Sequence, residues 1–185
     1  MKKILLLGDS IRENYQERVK ELLKGDGCEV FHPDENCRFS RYTLNSLRHW
    51  LPKCPNPDVI HWNNGLWDVM TVYPEDGCFT ELSDYIRDMG RILRELKKTG
   101  AKVIFATTTA VGDGNPNRLN ETIELYNTTL INALGKKLDE VNDLYSLTRP
   151  RNNVYIRLDD KVHLTDEGIE VCSKAVADKI RDMLK

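Results

Sequence analysis

The chain opens on a short apolar run, Ile4-Leu5-Leu6-Leu7 behind Lys2 and Lys3, which breaks at Gly8-Asp9-Ser10. Such a run, bounded by turn residues, predicts a buried strand that delivers Ser10 to a sharp turn. From about Asn14 to Lys24, Tyr15, Val19, Leu22 and Leu23 recur among charges at helical spacing, and Gly25-Asp26-Gly27 closes the helix. Cys28-Glu29-Val30-Phe31 is a second predicted strand, stopped at His32-Pro33. Asn36 to Thr43 is polar and turn-like, Leu44 to Leu51 a short helix ended by Pro52, and Val59 to Trp62 a third strand. Leu82 to Leu96 repeats apolar residues at helical spacing up to Gly100, and Val103 to Ala106 is a fourth strand.

Beyond the loop Gly112-Asp113-Gly114-Asn115-Pro116, a long helix is predicted from Arg118 to Leu138, with Leu119, Ile123, Tyr126, Leu130 and Leu134 along one side. A fifth strand comes from Val141 to Tyr145 or from Val154 to Ile156, and the pattern does not choose. A closing helix over Thr165 to Leu184 carries Ile169, Cys172, Val176, Ile180 and Leu184 as its core stripe. Strands alternating with helices predict an α/β fold, a three-layer α/β/α sandwich with a five-stranded parallel sheet. No repeat, low-complexity tract or linker interrupts the 185 residues, so a single domain over 1–185 is expected.

Composition narrows the partners. The net charge of −2 and the ordinary 40% hydrophobic and 30% charged fractions point to no nucleic acid and no anionic membrane surface. The five cysteines (Cys28, Cys37, Cys54, Cys78 and Cys172) are odd in number and never spaced C-x-x-C, so they read as free thiols of a reducing compartment. No apolar run nears the roughly 20 residues of a membrane span. A signal peptide would have to consume the turn at Ser10, so a cytoplasmic location is expected.

Candidate chemistry lies at the two ends. Ser10 alone is most simply a helix cap. Near the other end, Asp160-Lys161-Val162-His163 sets a carboxylate three residues before a histidine. A serine hydroxyl becomes a nucleophile when a base takes its proton, and a carboxylate best orients that base. A solvated loop histidine is the plain alternative for His163.

Gly8-Asp9-Ser10 together with Asp160-x-x-His163 resembles the SGNH (GDSL-type) hydrolases, serine esterases and lipases of flavodoxin-like architecture, and the resemblance spans nearly the whole chain. It implies Ser10 as nucleophile, His163 as base and Asp160 as the orienting carboxylate, with no metal and no cofactor. For the oxyanion it implies the backbone N–H of Ser10, a glycine N–H from a second block and an asparagine amide from a third. Here the sequence departs from the family. Phe39-Ser40-Arg41-Tyr42-Thr43 aligns with the S-G-x-T stretch and puts Arg41 at the glycine, and Gly65-Leu66-Trp67-Asp68 carries tryptophan in place of the asparagine of G-x-N-D.

Some relatives show N-x-G-x-x-D at the third block, which nominates Asn63, with Asn64 as the alternative. Arg12, Asn14 and Tyr15 follow the serine closely enough to edge the pocket, Arg41 enters its rim, and Trp67 offers a face for a sugar ring. No long apolar stretch suggests a lipid-binding lid. The expected substrate is therefore a small-molecule or carbohydrate ester with a short acyl group, such as acetyl, and a thioester is open to the same machinery. Two rivals stand beside this reading. One is a degenerate relative that binds an acylated or glycan ligand without turnover. The other is a nucleotide or phosphate binder using the Gly8-Asp9-Ser10 turn, which the Asp9 carboxylate argues against.

Overall fold

In the computed structural model, which describes residues 1–185, five strands form one sheet. They are β1 (Lys2–Leu7), β2 (Cys28–Phe31), β3 (Val59–Trp62), β4 (Lys102–Ala106) and β5 (Glu140–Asn142). Their order is β2-β1-β3-β4-β5, and every pair is parallel. Ile4 to Leu7 and all four residues of β3 are buried, as expected of strands covered on both faces.

The helices are α1 (Ser10–Leu23), α2 (Ser40–Trp50), α3 (Leu82–Lys97), α4 (Asn120–Leu134), α5 (Leu144–Thr148), α6 (Asn152–Tyr155) and α7 (Asp166–Leu184). From β1 to β2 the chain moves one way along the sheet; afterwards it moves only the other way. Right-handed crossovers then require α1 on one face and α2, α3 and α4 on the opposite one. Accordingly α1 packs on α7, α2 on α3, and α3 on α4. One cluster of 42 buried residues runs through both interfaces.

Several elements differ from the sequence expectation. Helix α1 begins at Ser10 rather than near Asn14, because Asp9 is the N-cap and its Oδ1 accepts from Ile11 N at 3.0 Å. The polar stretch before Leu44 is helical from Ser40, whose N–H and Oγ both donate to the distant Asp68 carboxylate. Helix α4 spans Asn120–Leu134 rather than 118–138; Leu119 sits just outside it, 61% exposed. Of the two candidates for the fifth strand, the one near Val141 is used, whereas 154–156 passes from α6 into a single bridge between Ile156 and Leu164. No helix is long and apolar enough to cross a membrane.

Candidate active site

Open parallel sheets leave a crevice beyond the carboxyl ends of their strands. Ser10 follows β1 there, Asn63 to Asp68 follow β3, and Thr107 to Arg118 follow β4. The turn that holds Ser10 is crowded. A Cβ on Gly8 would lie 2.8 Å from Arg12 Cβ, so glycine is required for space, and not for a positive φ, which Gly8 does not adopt. Cys37 brackets the same peptide unit: its Sγ accepts from Gly8 N at 3.3 Å and its N–H donates to Gly8 O at 3.1 Å.

The loop before α7 brings the other chain end to this turn. Ser10 Oγ lies 2.9 Å from His163 Nε2, and His163 Nδ1 lies 2.9 Å from Asp160 Oδ2. A carboxylate can only accept, so Nδ1 carries a proton, and in the neutral imidazole Nε2 then faces the serine hydroxyl with its lone pair. The other carboxylate oxygen, Asp160 Oδ1, accepts from Val162 N at 2.8 Å and His163 N at 2.9 Å. Partial burial favours the neutral acid, but the two backbone N–H groups and the imidazole prevail and hold the Asp160 carboxyl down to about 2.

The loop itself is clamped from several sides. Lys161, at φ 58°, donates from its N–H to Arg157 O, while its own carbonyl accepts from Gly112 N and Asn115 Nδ2. Leu164 N donates to Asn14 Oδ1 at 3.1 Å, which fastens the loop to α1 just beyond the serine. Asn14 thus positions the loop.

Burial also acts on two aspartates behind the site. Asp9, fully buried, leaves Oδ2 without a partner, and desolvation pushes its carboxyl up to about 6. Asp68 is likewise pushed up to about 6 by burial, against the bonds from Ser40 that lower it.

Ser10, Asp160 and His163 line a cleft of ≈ 230 Å³ with Asn36, Leu66, Trp67, Arg118 and Val162. Trp67 therefore lines the same cleft as Ser10 and His163. Arg12 and Tyr15 do not edge the cleft. Arg12 is 1% exposed and gives its guanidinium to the carbonyls of Gly8, Pro33 and Glu35, pinning the segment that carries Asn36. Tyr15 faces inward from α1, also 1% exposed, edge-on to the buried His61. Two and five residues on from Ser10, both lie on the opposite side of α1 from it and are buried.

The expected oxyanion donors divide. Ser10 is the first residue of α1, so its N–H has no intrahelical acceptor. Asn63 stands beside the turn, its N–H bonded to Leu7 O; its Nδ2 spends one hydrogen on Ala106 O and keeps the other. Asn64 has both Nδ2 hydrogens engaged, on Arg38 O and Thr43 Oγ1. Arg41 is the second residue of α2, with an N–H free of intrahelical acceptors. Its side chain does not enter the rim but turns away to Asp88 (2.8 Å) and Asp84 (3.5 Å). Asn36, Leu66, Arg118 and Val162 are cleft residues that sequence reading missed. Only Arg118, a charge at the far end of the loop after the fourth strand, carried a usable signal.

No protein-family model matches the sequence, and no curated protein matches it. Solved structures do match. An acetyl xylan esterase superposes with a TM-score of 0.80 at 22% identity, over 96% of this chain and 99% of its own. A lipase/acylhydrolase from Enterococcus faecalis gives 0.81 at 20% identity, over 98% and 96%. An acetylxylan esterase from Geobacillus stearothermophilus gives 0.82 at 17% identity, over 97% and 94%. Along nearly its full length the chain has the SGNH/GDSL hydrolase fold.

Proposed function

We propose that the protein is a serine carboxylic ester hydrolase acting on short-chain esters, with an O-acetyl group on a carbohydrate as the preferred substrate class. The observation that carries this reading is the hydrogen-bonded series Ser10 Oγ, His163 Nε2, His163 Nδ1, Asp160 Oδ2, with both contacts at 2.9 Å. In the proposed reaction Ser10 Oγ attacks the ester carbonyl carbon while its proton passes to His163 Nε2. Asp160 holds the imidazole in the accepting tautomer and stabilises the imidazolium. The imidazolium then protonates the departing alkoxide, leaving an acyl-enzyme on Ser10. Water, deprotonated by the same nitrogen, releases the acid and regenerates the serine.

The developing oxyanion is assigned to the N–H of Ser10 at the positive end of α1, the remaining amide hydrogen of Asn63 and the N–H of Arg41. Trp67 supplies an aromatic wall for a sugar ring. The small cleft suits acetyl better than a long acyl chain, and the carbohydrate assignment draws on the acetyl xylan esterases among the similar structures. Five free cysteines fit a protein that works in the reducing cytoplasm.

The test is labelling by an active-site-directed fluorophosphonate together with hydrolysis of p-nitrophenyl acetate and acetylated xylo-oligosaccharides. Wild type is expected to label and turn over, and Ser10→Ala to do neither while keeping its melting temperature. A folded wild type that neither labels nor hydrolyses any ester defeats the reading and leaves a binding protein.

A further inference from the structure

Four arginines, Arg38, Arg48, Arg118 and Arg151, have no carboxylate within 4.0 Å. Three of them are exposed, where water solvates the charge. Arg118 alone is half-buried, and it lies in the wall of the cleft that holds Ser10 and His163. Taking a guanidinium part-way out of water without an anion is unfavourable, so such residues ordinarily pair.

The arrangement of its nitrogens sharpens the point. Nε donates to Leu66 O at 2.7 Å and Nη2 meets Met70 Sδ at 3.2 Å, which fixes the plane of the group. Nη1 has no protein partner and is not among the buried unpartnered atoms, so a residue lining the cleft keeps an unengaged, accessible donor. Asn115, whose Oδ1 accepts from the backbone N of Arg118 at 2.9 Å, also donates to Lys161 O in the histidine loop at 3.1 Å. The base and the cation are thereby held by one bracket.

The other charges nearby leave this cation available. Asp160 is engaged by the imidazole and two backbone N–H groups. Asp9 is sealed beneath the turn beyond ion-pair distance, and part of its attraction reaches Arg118 through the protein. Burial lowers the affinity of Arg118 for its proton, yet a guanidinium stays charged throughout the working pH range.

We propose that Arg118 is a specificity-determining residue whose Nη1 receives a carboxylate on the substrate, so that the preferred esters carry an acidic group close to the scissile bond. The carboxylate enters either on the alcohol side, as in an acetylated acidic sugar, or on the acyl side, as in a dicarboxylic monoester. This rests on the esterase reading above and narrows its substrate class. The guanidinium takes no part in proton transfer. It positions the ester over Ser10 through a charge-assisted hydrogen bond, a type of bond favoured by Arg over Lys because the fork is rigid.

The test compares wild type, Arg118→Met and Arg118→Lys on phenyl acetate, on 4-acetoxybenzoate for the alcohol side and on monophenyl succinate for the acyl side. The readout is the ratio of kcat/KM for each acidic ester over phenyl acetate. In Arg118→Met that ratio is expected to fall about 10-fold or more for one of the two acidic esters, chiefly through KM, and Arg118→Lys to recover part of it. Which ester responds identifies the side. Equal losses on acidic and neutral esters overturn the proposal and leave Arg118 as a brace for Leu66.

Binding of benzoate, followed by calorimetry without turnover, separates the two readings. Binding that is lost in Arg118→Met, in a protein that neither labels nor hydrolyses, upholds the anion site and removes the esterase. No benzoate binding together with an unchanged ester ratio removes the anion site and leaves the esterase standing.

Discussion

At the scale of single residues, Asp160 shows how one carboxylate serves two purposes. Oδ1 closes the loop and Oδ2 holds the His163 ring through Nδ1. Asp160→Asn keeps the first through its amide oxygen but presents an N–H donor to the imidazole and favours the wrong tautomer. The expected outcome is a kcat about 10³- to 10⁴-fold lower, measured with p-nitrophenyl acetate, in a variant that still folds. The sign of the pH linkage is opposite to that of the buried aspartates. With its native carboxyl held down to about 2, Asp160 stabilises the fold above the ordinary aspartate value, and that contribution is lost as pH falls from about 4 towards 2. Arg12 and Tyr15 make the complementary point, since proximity in sequence to Ser10 says nothing of which face of a helix a side chain occupies.

At the scale of elements, two helix starts are held by buried carboxylates. Asp9 caps α1 and Asp68 anchors α2, and burial raises both to about 6. A raised native value means the folded state binds the proton more readily than the unfolded one, so each group destabilises increasingly as pH rises from about 4 through 6. Buried His61 works the other way. Desolvation holds it down to about 3, so stability is lost as pH falls below the ordinary histidine range, and the wild-type profile alone mixes the two.

Comparing variants separates them. Asp9→Asn keeps a capping oxygen and removes the titration. Its stability relative to wild type, from denaturant melts, is expected to be on the order of 1–3 kcal/mol more favourable at pH 8 than at pH 4.5. A pH-independent difference would show that Asp9 does not titrate in that window. The clasp between α1 and the histidine loop is a second test at this scale. Asn14→Leu strands the Leu164 N–H, with an expected cost of about 1–3 kcal/mol and a fall in kcat larger than in KM.

At the scale of the whole molecule, the site is a product of topology. β1 lies between β2 and β3, and the closing helix α7 returns to pack on α1, so the two ends of the chain meet above the sheet's carboxyl edge. The stability of that meeting depends on β1, an interior strand. Leu6 is fully buried in β1, and Leu6→Ala is expected to cost about 2–5 kcal/mol, read from chemical denaturation, with the active-site geometry degrading only near the melt. The α/β/α architecture was legible because strands buried on both faces read as continuous apolar runs and their helices as amphipathic stripes. The start of α2 was not, since its partner is Asp68, 28 positions away.

What the amino-acid order determined alone is what local chemistry can carry: strand against helix periodicity, the turn at Gly8-Asp9-Ser10 and the Asp160-x-x-His163 spacing that lets a carboxylate fold back on a ring. Tertiary structure alone decided which hydrogen-bond donors stay free, because that depends on partners brought together from distant segments. It spent both hydrogens of Asn64, kept one of Asn63, turned Arg41 towards Asp88 and left Arg118 facing the cleft without a carboxylate. Periodicity is a property of neighbours along the chain. Satisfaction of a polar group is a property of neighbours in space.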